Sequence, residues 1–158
     1  MAHRNPRHRL EVIGWAQDLM KRDNFYVLDT ETTGFGNTDE VIQIGIVDKN
    51  GTVVMNQLIK PSFPIPPGSS NVHGIYDSDV EDAPDYKDVY VSLSKFLAGE
   101  VLIAYNMDFD WRLMQQSNAR YRLPDFRTGK RHCAMKQYAK YNGKWNSKRR
   151  SYSWHKLG

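Results

Sequence analysis

The chain has a single cysteine, Cys133, among its 158 residues. No intrachain disulfide can form, a structural Cys/His zinc site is not expected, and a reducing compartment is expected. No apolar segment approaches the roughly 20 residues needed to span a bilayer. The basic start, Met1 to Arg9, is not followed by the roughly 7–15-residue apolar run of a secretory signal, so a cytoplasmic protein is the expectation. Internal repeats and low-complexity linkers are also absent. What remains, with 40% hydrophobic and 25% charged residues, is the composition and length of one globular domain able to bury a sizeable core. Acid is nearly missing from the last quarter. Residues 120–158 hold 12 Lys/Arg and one acid, Asp125, a balance of +11, whereas residues 1–119 hold 10 Lys/Arg and 17 Asp/Glu, a balance of −7. The net charge of +4 conceals this division. A basic block beside an acidic one suits a polyanion held near a carboxylate cluster, and equally a solvated basic tail.

Apolar periodicity organises the rest. Val12, Ile13, Ala16, Leu19 and Met20 fall at helical spacing over 10–21. Residues 24–30 read as a strand and 41–47 as a second. Asn50-Gly51 is a turn signal, with 52–59 as the hairpin partner. Four prolines between Pro61 and Gly68 predict an extended loop. A helix is expected over 84–97 with Pro84 in its first turn, then a buried strand at 101–105, a helix from about Asp108 to Ala119, a strand near 131–134 and a helix through Met135, Tyr138 and Ala139. The order predicts an α/β fold, a mixed sheet with an antiparallel three-strand side and parallel strands joined by crossover helices.

Two constellations carry chemistry. In Phe25-Tyr-Val-Leu-Asp29-Thr-Glu31-Thr-Thr-Gly34 an apolar strand is interrupted by two acids. Alternation puts Asp29 and Glu31 on one face, about 6–7 Å apart at Cα. Such a pair repels unless a cation intervenes, and a hard divalent ion with oxygen ligands is the usual answer. The plain alternative is a strand end with solvated acids. In Leu102-Ile-Ala-Tyr-Asn106-Met-Asp108-Phe-Asp110 a buried strand ends in a polar turn, where ligand sites of α/β sheets occur. Asp110 falls in the first turn of the next helix, within reach of the pair. Helix capping by Asn106 or Asp108 is the alternative, and it is compatible with metal binding.

These two stretches resemble the first and second motifs of the DEDDh 3′–5′ exonucleases, which include the proofreading subunit of DNA polymerase III and RNase T and share the ribonuclease H-like fold. Val72-His73-Gly74-Ile75, with Ala83-Pro84 downstream, is similar to the His-Gly-Ile loop of that family. The stretches Cys133 to Tyr141 and Tyr152 to Leu157 resemble the segment preceding its last motif. The resemblance runs from about residue 24 onward, with 1–22 a basic arm and helix and 23–158 the exonuclease domain.

It implies release of nucleoside 5′-monophosphates from DNA or RNA 3′ ends, single strands favoured, using two divalent cations, Mg²⁺ or Mn²⁺. Asp29, Glu31 and Asp110 are then the catalytic, metal-binding carboxylates: Asp29 bridges both ions, Glu31 serves the nucleophile side and Asp110 supports the second ion. Thr32, Thr33, His73 and Asn106 become substrate contacts. Lys148, Arg149 and Arg150 are read as phosphate contacts, while Met135, Tyr138 and Trp154 are expected to pack.

The family's third motif, His-x-x-x-x-Asp, supplies a general base and a further carboxylate after a helix expected to begin near Trp154. No histidine in these 158 residues has an Asp five positions on. The expectation is a domain truncated at its C-terminus with its last helix missing, impaired or inactive alone, and an exposed apolar sheet face inviting a homodimer or a partner segment. A catalytically inactive nucleic-acid-binding module on the same fold is the competing reading. A ribonuclease H or integrase-type endonuclease is a third, opposed by the His-Gly-Ile and Asn-x-x-Phe-Asp stretches.

Overall fold

The computed structural model describes residues 5–156. The first four residues of the expected basic arm, and Leu157 and Gly158 at the other end, lie outside the described residues. Three antiparallel strands open the sheet: β1 (Tyr26–Thr32), β2 (Val41–Asp48) and β3 (Val53–Leu58). β4 (Leu102–Ala104) lies parallel beside β1, and β5 (Arg131–Cys133) lies parallel beside β4, giving the order β3-β2-β1-β4-β5. This is the expected mixed sheet.

Period-2 alternation divides its two faces. Leu28, Ile44, Ile46, Leu102 and Ala104 point into the main core, against α4 (Tyr86–Leu97) and α5 (Met107–Arg120). Leu93, Leu97, Leu113 and Met114 are fully buried there. On the reverse face, Ile103 joins Phe25, Val101 and Leu19 of α1 (Pro6–Met20), and α6 (Ala134–Asn142) packs along α1. Val27 and Val54, farther along β1 and β3, remain exposed.

Several elements differ from the sequence expectation. β1 extends two residues farther, because Glu31 and Thr32 still pair with Gln43 and Val41 across a bulge. The proline-rich loop ends early: Pro67–His73 is a helix, α2, with Pro at its start and Gly74 in the left-handed conformation as its C-cap. Proline's fixed φ suits a first helical position as well as it suits a loop. A short helix, α3 (Asp77–Val80), follows. Pro84 stays outside α4, its carbonyl accepting from the Lys60 amide. Asp85 is the cap, accepting from the Lys87 and Asp88 amides.

Among the described residues no helix begins near Trp154. β6 (Trp145–Asn146) and β7 (Ser151–Tyr152) form a small hairpin there. Tyr138 and Trp154, expected to pack, are 52% and 58% exposed, while Met135 is buried as expected. No helix among the described residues is long and apolar enough to cross a membrane.

Candidate active site

β4 pairs with β1 only at Tyr26 and Val27, which leaves the rest of β1 open on that side. Asp110, in the first turn of α5, fills the gap. Its Oδ1 accepts from the Thr30 amide at 3.1 Å and from the Thr30 hydroxyl at 2.8 Å. A contact across 80 residues thus brings the second acidic stretch to the first. Asn106 is the N-cap of α5, but its side chain makes no capping bond. Its carbonyl accepts from the Phe109 and Asp110 amides, so the carboxamide is left for other partners.

Asp29 and Glu31 flank Thr30 and project from the other side of the strand, Asp29 exposed and Glu31 half-buried. Among the described residues no three His, Cys, Asp or Glu side chains converge as a ready ion cage. By alternation the pair faces one way and the Thr30 side chain the other, and Asp110 grips both the amide and the hydroxyl of Thr30.

The three carboxyls nonetheless feel one another. Burial pushes Asp110 up to about 6, with the Asp29 charge adding to it and the Thr30 bonds opposing it. Asp29 reaches solvent, yet partial desolvation of its carboxyl by the surrounding protein raises it too, against a backbone bond from Thr30. Glu31 is raised by burial and then by Asp29. No Lys, Arg or His among the described residues forms an ion pair with any of them. Three hard oxygen donors with raised pKa values and no cationic side chain match in kind what a divalent ion requires.

Beside Glu31 lies a cavity of about 220 Å³, walled by Thr32, Phe35, Val72, His73 and Phe109. That is below the roughly 300–1,000 Å³ of a pocket for a drug-sized ligand. Phe35 and Phe109 stand 5.6 Å apart, centroid to centroid. His73 closes α2. Its Nδ1 accepts from the Ile75 amide at 3.1 Å, which puts the neutral ring's proton on Nε2. That Nε2 is buried without a partner, alone in this among the described side-chain atoms. An unsatisfied buried donor costs about 1–3 kcal/mol, which an acceptor on a bound molecule would recover.

The loop after β1 is fixed by side-chain bonds that local sequence patterns did not reveal. The Thr32 hydroxyl donates to the Gly34 carbonyl at 2.9 Å. The Thr33 hydroxyl donates to Asp39 and accepts from the Glu40 amide, both at 2.9 Å, so the one donor proton of each hydroxyl is used within the loop. Gly34 is required by close approach: a Cβ there would meet Asp39 Oδ2 at 2.7 Å. Arg112 donates to the Phe35 carbonyl at 3.1 Å and Gln116 to the Asp39 carbonyl at 2.6 Å, tying the loop to α5. The i, i+4 spacing of Arg112 and Gln116, continuing from Asp108, was the available signal. Glu40, 1% exposed, accepts from Ser62, Tyr121 and Arg120 and anchors the start of β2.

Lys148, Arg149 and Arg150 sit exposed in the β6–β7 turn. Arg149 shares a cleft with Asn106, but the three cations are not part of the carboxylate group.

An Exonuclease family model (RNase_T) matches residues 26–153. An uncharacterized exonuclease, CP81, of Escherichia phage 186 is 36% identical over 147 residues, covering 90% of this chain and 75% of the phage protein. The DNA polymerase III subunit epsilon of Treponema pallidum (strain Nichols) is 33% identical over 103 residues, 63% of this chain and 48% of the subunit. Exonuclease X, solved in complex with 5′ overhanging duplex DNA, has a TM-score of 0.54 at 30% identity, covering 71% of this chain and 60% of that one. Product-bound exonuclease I, at 16% identity and a TM-score of 0.65 over 80% of this chain and 34% of its own, shares the fold. The chain therefore spans about half of the polymerase subunit, and the architecture is that of the ribonuclease H-like exonucleases.

Proposed function

The chain belongs to the exonuclease family, and on that premise we propose that it shortens DNA from the 3′ end, releasing nucleoside 5′-monophosphates. The observation that carries this reading is the grouping at the end of β1. Three carboxyls without cationic partners adjoin a cavity whose His73 Nε2 lacks an acceptor. DNA is favoured over RNA because exonuclease X, 30% identical, is solved with DNA.

Asp29, Glu31 and Asp110 would hold two divalent cations, Mg²⁺ or Mn²⁺. When bound, such ions polarise the scissile phosphate and acidify the attacking water. The chain's own residues do the rest. Phe35 and Phe109 face the terminal base, where aromatic stacking is tolerant of sequence. His73 Nε2–H donates to an oxygen of the terminal nucleotide, and the uncapped Asn106 carboxamide donates to phosphate. Thr32 and Thr33 act by shaping the loop. Lys148, Arg149 and Arg150 take phosphates farther from the end.

Residues 1–158 contain no His-x-x-x-x-Asp, so the proton of the attacking water has no family-type acceptor within them. A polypeptide of these residues alone is therefore expected to cleave slowly. Single-turnover incubation with a 5′-labelled oligonucleotide and Mn²⁺ tests this. A slow ladder shrinking from the 3′ end, lost in Asp29→Asn, supports it. Internal cuts or release from the 5′ end would refute the polarity, and rapid turnover would refute the expectation of slow cleavage.

A second reading is favoured by the unconverged carboxylates: a nucleic-acid-binding module without catalysis. A flat time course in that assay, combined with tight oligonucleotide binding, would select it.

A further inference from the structure

No Asp or Glu occurs between residues 126 and 158, and the fold gathers much of that basic stretch on one ridge. The turn between β6 and β7 presents Lys148, Arg149 and Arg150, all exposed, with Arg149 held at its amide by the Asn146 side chain at 3.0 Å. The first turn of α1, from the opposite end of the chain, docks beside it. The His8 ring bonds the Tyr152 hydroxyl. Arg9 donates to the Tyr141 hydroxyl at 2.7 Å, its guanidinium 4.5 Å from the ring centroid. The Glu11 carboxyl is lowered first by its bond from Lys140 and then by the charges of His8 and Arg7, so Arg7, exposed, belongs to the same surface, which sequence order alone would not assemble.

Between this ridge and α5 lies a cleft of about 510 Å³. Tyr105 and Asn106 line it on the α5 side, and Arg149, Trp154 and Lys156 on the other. Asn106 is the N-cap of the helix whose first turn carries Asp110, so the cleft opens at the same end of α5 as the carboxylates and runs from there to the basic turn. Trp145 and Trp154 are 50% and 58% exposed. Trp154 lines the cleft, and Trp145 packs edge-on against Tyr152 in the hairpin beside it. Cations tracking a backbone, interleaved with aromatic platforms, are what a single strand requires.

We propose that this cleft and the α1–hairpin ridge form an accessory platform for single-stranded DNA, holding the nucleotides on the 5′ side of the reacting end. The direction of the strand rests on the exonuclease reading, whereas binding at the platform does not. Affinity then grows with strand length beyond what the terminal cavity accommodates. It falls with salt by about 0.7 log units per log unit of salt for each phosphate neutralised.

Fluorescence anisotropy with labelled oligo-dT of three and twelve nucleotides, in EDTA and over a salt series, tests the platform. The twelve-mer is expected to bind the 158-residue chain at least tenfold more tightly than the trimer. In Arg7→Gln and in Lys148→Gln/Arg149→Gln that ratio collapses, and the salt slope flattens by about 0.7 for each phosphate no longer neutralised. Trp154→Ala loses about five- to a hundredfold on the twelve-mer. Circular dichroism and urea midpoints, expected unchanged, show that the variants fold. A length ratio the same in folded variants as in the wild type overturns the platform and leaves the exonuclease reading standing. Length-dependent binding that the charge variants abolish, with no metal-dependent shortening of the strand, supports the platform while the exonuclease reading fails. Tighter binding of oligo-U than of oligo-dT overturns the assignment to DNA.

Discussion

Asp110 should make the metal-free protein less stable at neutral pH, and its removal should show it. The residue is 3% exposed, and burial is the largest cause that lifts its carboxyl from the ordinary 3.8 to about 6. A folded-state pKa above the unfolded one means that the folded form binds the proton more tightly. Stability is therefore full at low pH and is lost as pH rises from the unfolded value through the folded one. The shift of about two units corresponds to ~3 kcal/mol at pH 8. Asp110→Asn keeps an oxygen to accept both Thr30 bonds while removing the charge. In EDTA at pH 8 the variant is expected to melt about 6–12 °C higher than the wild type, the gap closing as pH falls toward 4. Added Mg²⁺ or Mn²⁺ should raise only the wild type appreciably, by mass action on a site the variant weakens. Thermal denaturation followed by circular dichroism across pH 4–8 reads all of this. Equal melting temperatures at pH 8, or a gap that persists at pH 4, would refute the claim that a buried, uncompensated carboxylate carries this cost.

His73→Ala should raise KM for oligonucleotide hydrolysis about tenfold, since it removes the unpaired Nε2 donor whose bond to substrate is worth about 1–3 kcal/mol. A variant with wild-type KM would show that the donor never meets the substrate. Gly34→Ala should loosen the loop after β1, because the new Cβ would lie 2.7 Å from Asp39 Oδ2. Faster amide exchange at Gly36, which donates to that carboxylate, is the expected signature, and unchanged protection would count against it. Glu40→Gln should cost about 3–5 kcal/mol in urea denaturation, the range for breaking a buried charge pair by removing one partner, reduced by the partial exposure of Arg120. A midpoint at the wild-type value would show the network to be dispensable.

The acidic pair, the mixed sheet and the order of its main helices were legible in the sequence because they depend on short periods. Asp29 and Glu31 share a face by alternation alone, and the apolar runs at 41–47 and 101–105 have the length and β-branched content of buried strands. The ion-compatible chemistry of the site was legible too, as residue type. The helical start at Pro67 was not, since one fixed φ serves a loop and a helix start equally. Nor was the exposure of Tyr138 and Trp154, because aromatic residues at helical spacing look alike whether or not another element covers them.

What only the tertiary structure decided depends on contacts between distant segments. The grip of Asp110 on Thr30 spans 80 residues; it holds the carboxyl in the buried place that raises its pKa, while the bonds themselves oppose that rise. The tautomer and the orphaned nitrogen of His73 follow from a turn closed by a left-handed Gly74. The meeting of α1 with the β6–β7 hairpin spans 144 residues. Local sequence periodicity specifies which side of an element is apolar. Which elements then face one another, and hence which charges are buried or brought side by side, is settled by how those apolar sides pack together.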